Sequence, residues 1–260
     1  MVQALLRLRL MGGPSAKPRG GPALQWWRLK RSLARRWRAW RMPRGFQRLG
    51  TRYGGWWVYG PAVGRDPLLV DCGLGFDLSF PEAFLRRFGG RAIGVDPNPR
   101  ALEYARTHRP ANMEVHAAAL WSEAGRTLEF HMPRRAEDLP QGADGVSGSL
   151  LASHTYAGAE RIAVRTTSLE ELLAQAGRAE CDVLKLDVEG AEYEVLAALC
   201  ASGAIRRARQ ILAEFHHGWT EHPLEHTQAL AAKVQAAGFE LAHTENRNYL
   251  FVRRDTRHAR

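Results

Sequence analysis

The 260-residue sequence predicts an α/β fold, a mostly parallel sheet with helices on both faces. Three observations predict it. From Asp66 onward, short apolar runs alternate with helical patterns; most runs stop at a glycine turn or an Asp-Pro; and the last two runs lie close enough to close as a hairpin. Repeated βα units of this kind place ligands outside the carboxyl ends of the strands. The length suits one large domain, or a domain of about 200 residues with an extension. Such a domain buries a sizeable core without disulfides.

Taken in order, PLLVDCGLG (67–75) reads as a buried strand entering a glycine turn, and PEAFLRRFGG (81–90) as a helix with proline in its first turn and glycine at its end. RAIGVDPNP (91–99) is a second strand, RALEYARTHR (100–109) a second helix and NMEVHAAALW (112–121) a third strand. TLEFHMP (127–133) reads as a short extra strand. Residues 134–160 carry Gly, Ser, Pro and charges without a period, which predicts a mobile loop that closes over a ligand. RIAVRTTSLEELLAQAG (161–177) gives a strand and a helix, with Ser168 as N-cap and Glu171 three residues on. DVLKLDVEG (182–190) is a strand, AEYEVLAALCASGAI (191–205) its helix, RQILAEFHH (209–217) another strand and PLEHTQALAAKVQAAG (223–238) the last helix. FELAHTE and NYLFVRR form the closing hairpin.

The net charge of +10 is unevenly spread: residues 1–65 hold 15 Lys/Arg and no Asp or Glu, leaving 22 basic against 27 acidic residues in the rest. Six of the eight tryptophans also lie early. Trp26, Leu29, Leu33, Trp37 and Trp40 fall on one face of a helix opposite an arginine-rich face. Residues 1–50 therefore read as a basic Trp/Arg-rich extension, residues 51–254 as the folded domain and 255–260 as a tail. A helix over 24–42 can lie on an anionic membrane surface. The same side chains can grip nucleic acid, which is the weaker expectation, and the bland alternatives are a packed helix, a tail, or residues upstream of a start at Met11 or Met42. No secretory signal and no spanning segment is predicted. Cys72, Cys181 and Cys200 fall in no paired spacing, so neither a disulfide framework nor a zinc knuckle is suggested. The expected location is cytoplasmic, with peripheral membrane association through 24–42.

In VDCGLGFDLSF, Asp71 stands at a strand end and is followed by Gly73 and Gly75, which let the backbone turn sharply and approach a ligand. Asp96 ends the next strand, 23 residues after Gly73, where a carboxylate can accept both ribose hydroxyls of an adenosine. A dinucleotide fits less well. Leu78 replaces the third glycine that close pyrophosphate approach wants, and no tyrosine has a lysine four residues on. S-adenosylmethionine fits better, since Asp71 then lies near the cationic methionine part of the ligand.

The stretch LKLDVEGAEYEVL, preceded by RTTSLEELL and followed by a strand with Glu-x-His, resembles the FkbM-type S-adenosylmethionine-dependent methyltransferases. GLGFDLSF, GVDPNP and YGGWWV are similar to one branch of that family, and the resemblance runs from about Gly54 to Val252. It implies a Rossmann-like class I methyltransferase fold, with a seven-stranded, mostly parallel sheet and an antiparallel last strand. It also implies methyl transfer to oxygen, usually a hydroxyl of a sugar, glycan or natural product, and it adds Asp77, Pro97, Ala119 and Leu120 to the cofactor site. Leu74 and Cys72 depart from the common pattern and touch loop packing only.

Methyl transfer from a sulfonium is an in-line displacement, so the site must align the reactants and exclude water. A hydroxyl also needs somewhere to lose its proton. Asp187 is the first candidate to face the methyl group, with Lys185 as its partner or as the partner of Glu214. Glu214 and His216 are candidates for acceptor binding or proton removal; His217 points to the opposite face. Glu189 reads as a helix-start residue, and Glu192 and Glu194 as first-turn or solvated carboxylates. No metal is expected, although Asp187, Glu214 and His216 can converge. The alternatives are a catalytically silent relative working at a membrane surface, and an NAD-dependent sugar-modifying enzyme.

Overall fold

A computed structural model describes residues 44–134 and 147–257. The chain divides into two compact units, Met1–Arg44 and Gly45–Arg260, and the second is described here. The expected amphipathic helix over 24–42 lies outside the described residues. Among these, no helix is long and apolar enough to cross a membrane.

An antiparallel hairpin of β1 (Phe46–Leu49) and β2 (Trp56–Tyr59) opens the unit. The large sheet is built from β3 (Leu68–Cys72), β4 (Arg91–Asp96), β5 (Met113–Ala117), β9 (Cys181–Leu186), β10 (Ala208–Glu214), β11 (Phe239–Glu245) and β12 (Asn248–Arg253). Its order is β11-β12-β10-β9-β3-β4-β5. β3, β4, β5, β9 and β10 pair in parallel, and β12 runs antiparallel between β10 and β11. The chain leaves β3 toward β4 and later returns to β9 on its other side. That reversal makes a crevice at the carboxyl ends of β3 and β9. A smaller three-stranded sheet holds β6 (Ala119–Leu120), β7 (Thr127–Pro133) and β8 (Ala157–Thr167).

Alternation along the central strands sorts their side chains between two cores. Val70, Cys72, Leu184, Leu186, Ile211 and Ala213 enter one, while Leu69, Val183 and Leu212 enter the other beside Trp56 and Val58 of the hairpin. Each fully buried Leu, Val or Phe contributes about 1.5–3 kcal/mol. Asp71 and Lys185 share the parity of Leu69 and Val183 and are direct register partners on adjacent strands. Two charges therefore meet on one buried face.

Helices α1 (Ser79–Phe88), α2 (Pro99–His108), α3 (Leu169–Gln175), α4 (Glu192–Ser202) and α5 (Leu224–Ala236) connect the strands, and α6 (Arg254–Arg257) follows β12. α1 buries Phe80 and Phe84 and ends at Gly89 with φ 72°. The Asn98 side chain caps α2, and Ser168 caps α3 through the Glu171 amide, as its spacing predicts.

The third strand does not run through 112–121: it breaks at Ala118, and Ala119–Leu120 cross into the smaller sheet beside Thr166 and Thr167. The strands expected over 182–190 and 209–217 end at Leu186 and Glu214. Asp187, Glu189 and His216 thus sit on loops. The interval 134–160 is not all loop, because β8 begins at Ala157 and Ser149 bridges to His131.

Candidate active site

A cleft opens at the crevice. Its floor is the loop after β3, with Gly73, Leu74 and Gly75, and its walls carry Asp96, Pro97, Ala119 and Leu120 on one side and Lys185, Asp187 and Glu189 on the other. Tyr53, Trp56, Phe76 and Phe130 add aromatic rings. Among the described lining residues, Asp71, Asp77, Asp96, Asp187 and Glu189 are acidic and Lys185 is the one basic side chain. The cleft therefore suits a positively charged ligand.

Gly73 has φ 85°, and a Cβ there would stand 1.7 Å from the Asp187 carbonyl oxygen. The Asp187 amide donates to the Cys72 carbonyl at 3.0 Å, so the loops after β3 and β9 lie against one another and leave no room for a side chain. Asp96 braces the same glycine loop. One of its oxygens accepts from the amides of Leu74 (2.7 Å) and Gly75 (3.3 Å), the other from Asn98 (2.8 Å). Burial raises its carboxyl, opposed by those three donors. Asp77 is engaged by Thr51 Oγ1 at 2.5 Å and by the amides of Gly54 and Ser79. It staples the entry segment to the glycine loop while its residue still lines the cleft.

Lys185 is 6% exposed and pairs first with Asp71, Nζ to Oδ1 at 3.1 Å. It also donates to the Gly73 carbonyl and stands 5.7 Å from the Trp56 ring centroid. Its distance to Asp187 Oδ2 is 3.8 Å. The expected Lys185–Asp187 ion pair is present at that distance, with Asp71 as the nearer partner that parallel register puts opposite Lys185; the alternative Lys185–Glu214 pair is corrected, because Glu214 is bound by Arg247 at 3.1 Å. Asp71 likewise has its own cation before any ligand arrives. Burial would push Lys185 down, but the Asp71 and Asp187 carboxylates raise it.

Asp187 faces the cleft with 30% of its side chain exposed, and its two oxygens lie 3.8 Å from Lys185 and 3.7 Å from His216. Both separations exceed hydrogen-bond length. Its lone pairs thus remain available while two cations stand behind it. Burial pushes its carboxyl up to about 7; Lys185 and His216 pull it down, and Glu214 and Glu189 push it up.

Glu214 and His216 do not line the cleft. Donor atoms of Asp187, Glu214 and His216 do converge within 4.8 Å, but Arg247 holds Glu214 and two carboxylates hold His216. His217 turns away, with Nδ1 3.2 Å from Thr227 Oγ1. Glu192 stands in the first turn of α4, as expected, but is not solvated: it is fully buried, accepts from the Gly190 amide, and meets the His216 amide and Nδ1 at 2.9 and 3.1 Å. Nor does Glu189 merely start a helix, since it lies 2.9 Å from His154 Nε2 and 3.1 Å from His216 Nε2. His154 was invisible in the aperiodic segment; only the bridge of Ser149 to His131 and the Ser149 hydroxyl bonded to the Glu189 carbonyl at 2.6 Å bring it in.

The family model described as the methyltransferase FkbM domain matches residues 71–241, more than half of the chain. No curated relative matches the sequence. Among solved structures, the Methanococcus jannaschii fibrillarin pre-rRNA processing protein is similar at 13% identity and a TM-score of 0.40, over 74% of this chain and 67% of that one. A TehB-like S-adenosylmethionine-dependent methyltransferase from Corynebacterium glutamicum shares 13% identity at a TM-score of 0.35, over 87% and 98%. CalS10, an amino pentose methyltransferase from Micromonospora echinaspora, shares 15% at 0.37, over 97% and 96%. By the family match, the chain belongs to the FkbM methyltransferases and is an S-adenosylmethionine-dependent methyltransferase with the Rossmann-like class I fold.

Proposed function

We propose that the chain methylates oxygen, on a hydroxyl of a sugar, glycan or natural product. The observation that carries this reading is Asp187, a carboxylate exposed to the cleft with two cations behind it and neither oxygen hydrogen-bonded to either. A neutral hydroxyl can approach such a group and lose its proton to it. The resemblance of LKLDVEGAEYEVL and its flanks also supports oxygen.

The cleft fits the cofactor. Its glycine floor admits close backbone approach, its acidic lining suits a cationic ligand, and Ala119, Leu120 and Pro97 offer apolar wall for a flat base. In this reading Asp71, Gly73, Gly75, Asp77, Asp96, Pro97, Ala119 and Leu120 hold the cofactor, Asp77 and Asp71 chiefly by fixing the loops. When bound, the cofactor supplies an electrophilic methyl group. Asp187 orients the acceptor hydroxyl and takes its proton, and Lys185 and the imidazole of His216 keep that carboxylate ionised until it does. Glu214, held by Arg247, bounds the site from behind Asp187.

The test is to incubate the full chain and radiolabelled S-adenosylmethionine with extracts of cells lacking the protein, then analyse the labelled products by mass spectrometry. The expected product gains one methylene mass on a hydroxyl. Label found on nitrogen, sulfur or carbon instead would contradict the proposal.

A further inference from the structure

The group behind Asp187 is a closed chain of side chains that the transfer itself does not touch. His216 is 2% exposed, Glu192 and His154 are each 0% exposed, and Glu189 is 18% exposed. Four elements supply them: His154 comes from the segment before β8, Glu189 from the loop after β9, Glu192 from the first turn of α4 and His216 from the loop after β10. Local structure is spent on the arrangement. Glu189 takes φ 53°, a left-handed conformation rare for a residue with a side chain and costing about 1 kcal/mol or more. α4 lacks a side-chain N-cap, since Glu192 turns back to the Gly190 amide and the His216 side chain.

Hydrogen-bond partners assign the protons. The Tyr156 amide donates to His154 Nδ1 at 3.2 Å, so that nitrogen is an acceptor and the ring proton sits on Nε2, which lies 2.9 Å from Glu189 Oε2 without the geometry of a hydrogen bond. His216 differs. Its Nδ1 faces Glu192 at 3.1 Å, and its Nε2 faces Glu189 at 3.1 Å and Asp187 at 3.7 Å. Nδ1 is hydrogen-bonded to Glu192, and the charged groups within 4 Å of Nε2 are both carboxylates, an arrangement that favours the imidazolium. Burial would push this imidazole down, but Glu192 and Glu189 hold it well above its ordinary value.

We infer that Glu189, Glu192 and His154 are positioning residues that fix His216 as the buried cation facing Asp187, and so set the ionisation of Asp187. The inference rests on Asp187 as proton acceptor. His154 has a distinct part: its Nε2 stands 2.9 Å from the same Glu189 oxygen that faces His216 at 3.1 Å, so the two rings flank one carboxylate oxygen. The other charged groups facing the pair are Lys185 and Glu214, with Asp71 on Lys185 and Arg247 on Glu214. None of these replaces the cation on the Oδ1 side of Asp187.

Nuclear magnetic resonance of the full chain with bound S-adenosylhomocysteine tests this without an acceptor, using nitrogen-15 histidine and carboxyl-carbon aspartate signals. In the wild type, His216 is expected to carry protons on both nitrogens through neutral pH. In Glu192→Gln, His216 should lose a proton at lower pH, and the Asp187 midpoint should rise by about one pH unit. A neutral His216 in the wild type would overturn the inference, as would an unmoved Asp187 midpoint in the variant. So would selective broadening of His216 by added Mn²⁺, which would make that nitrogen a metal ligand. Homocysteine-derivative binding is read from the same samples, so failure of the cofactor reading shows separately.

Discussion

At the scale of single residues, Asp187 combines a cleft-facing carboxylate, two cations near 4 Å and a carboxyl pushed up to about 7. Asp187→Asn keeps the shape and removes the proton acceptor. It should lower methyl incorporation by about a hundredfold or more, while S-adenosylhomocysteine binding by titration calorimetry changes by less than about threefold. Equal loss of both would make Asp187 a binding residue. The raised carboxyl has a pH consequence whose sign is fixed. The free protein holds a proton on Asp187 below about 7, and a sulfonium favours the ionised form, so S-adenosylmethionine should bind more tightly as pH rises through that value. A gain of roughly three- to tenfold is expected. Facing groups Lys185, His216, Glu214 and Glu189 modulate the midpoint without reversing the sign. S-adenosylhomocysteine lacks the sulfonium and should show a smaller gain; identical pH profiles would separate Asp187 from the sulfonium.

At the scale of elements, the site depends on the loops after β3 and β9 lying against one another. Gly73→Ala would drive a methyl group into the Asp187 carbonyl at a positive φ. A loss of about 2 kcal/mol or more in unfolding free energy is expected, with loss of cofactor binding; unchanged denaturant midpoints would show that the loops can part. Leu184→Ala, in the fully buried middle of β9, should cost about 2–5 kcal/mol by cavity formation without altering the cleft chemistry. These elements were legible in the sequence to different degrees, for physical reasons. β3, β4, β9 and β10 are short, mainly apolar runs with Gly or Pro within a few residues of their ends, and Asp71, Gly73, Asp96 and Asp187 were readable because charges and glycines at strand ends have few structural uses. The nearer partner of Lys185, Asp71, was not readable, because register across two strands far apart in the chain decides it. The bond of Glu192 to His216 was not readable, because helical position says nothing of a histidine arriving from the loop after β10. β1 was not separated from the basic leader, since its pairing with β2 rather than its composition makes it a strand.

At the scale of the whole molecule, the folded unit begins at Gly45 and the Arg/Trp-rich leader belongs to the other unit. Deleting residues 1–42 should therefore leave S-adenosylhomocysteine affinity within about twofold and the unfolding temperature within a few degrees, by calorimetry and circular dichroism. A large loss of either would show that the leader completes the domain. The sheet order brings the ends of β3, β4 and β9 to one crevice, and everything proposed for Asp187 requires the cofactor to lie there. Isothermal titration of the full chain with S-adenosylhomocysteine tests that most directly, alongside Asp96→Ala, which removes the brace of the glycine loop. The account predicts one site per chain with micromolar affinity, weakened at least about tenfold in the variant. A folded wild-type sample showing no binding at hundreds of micromolar, or a variant binding as tightly as the wild type, would contradict it.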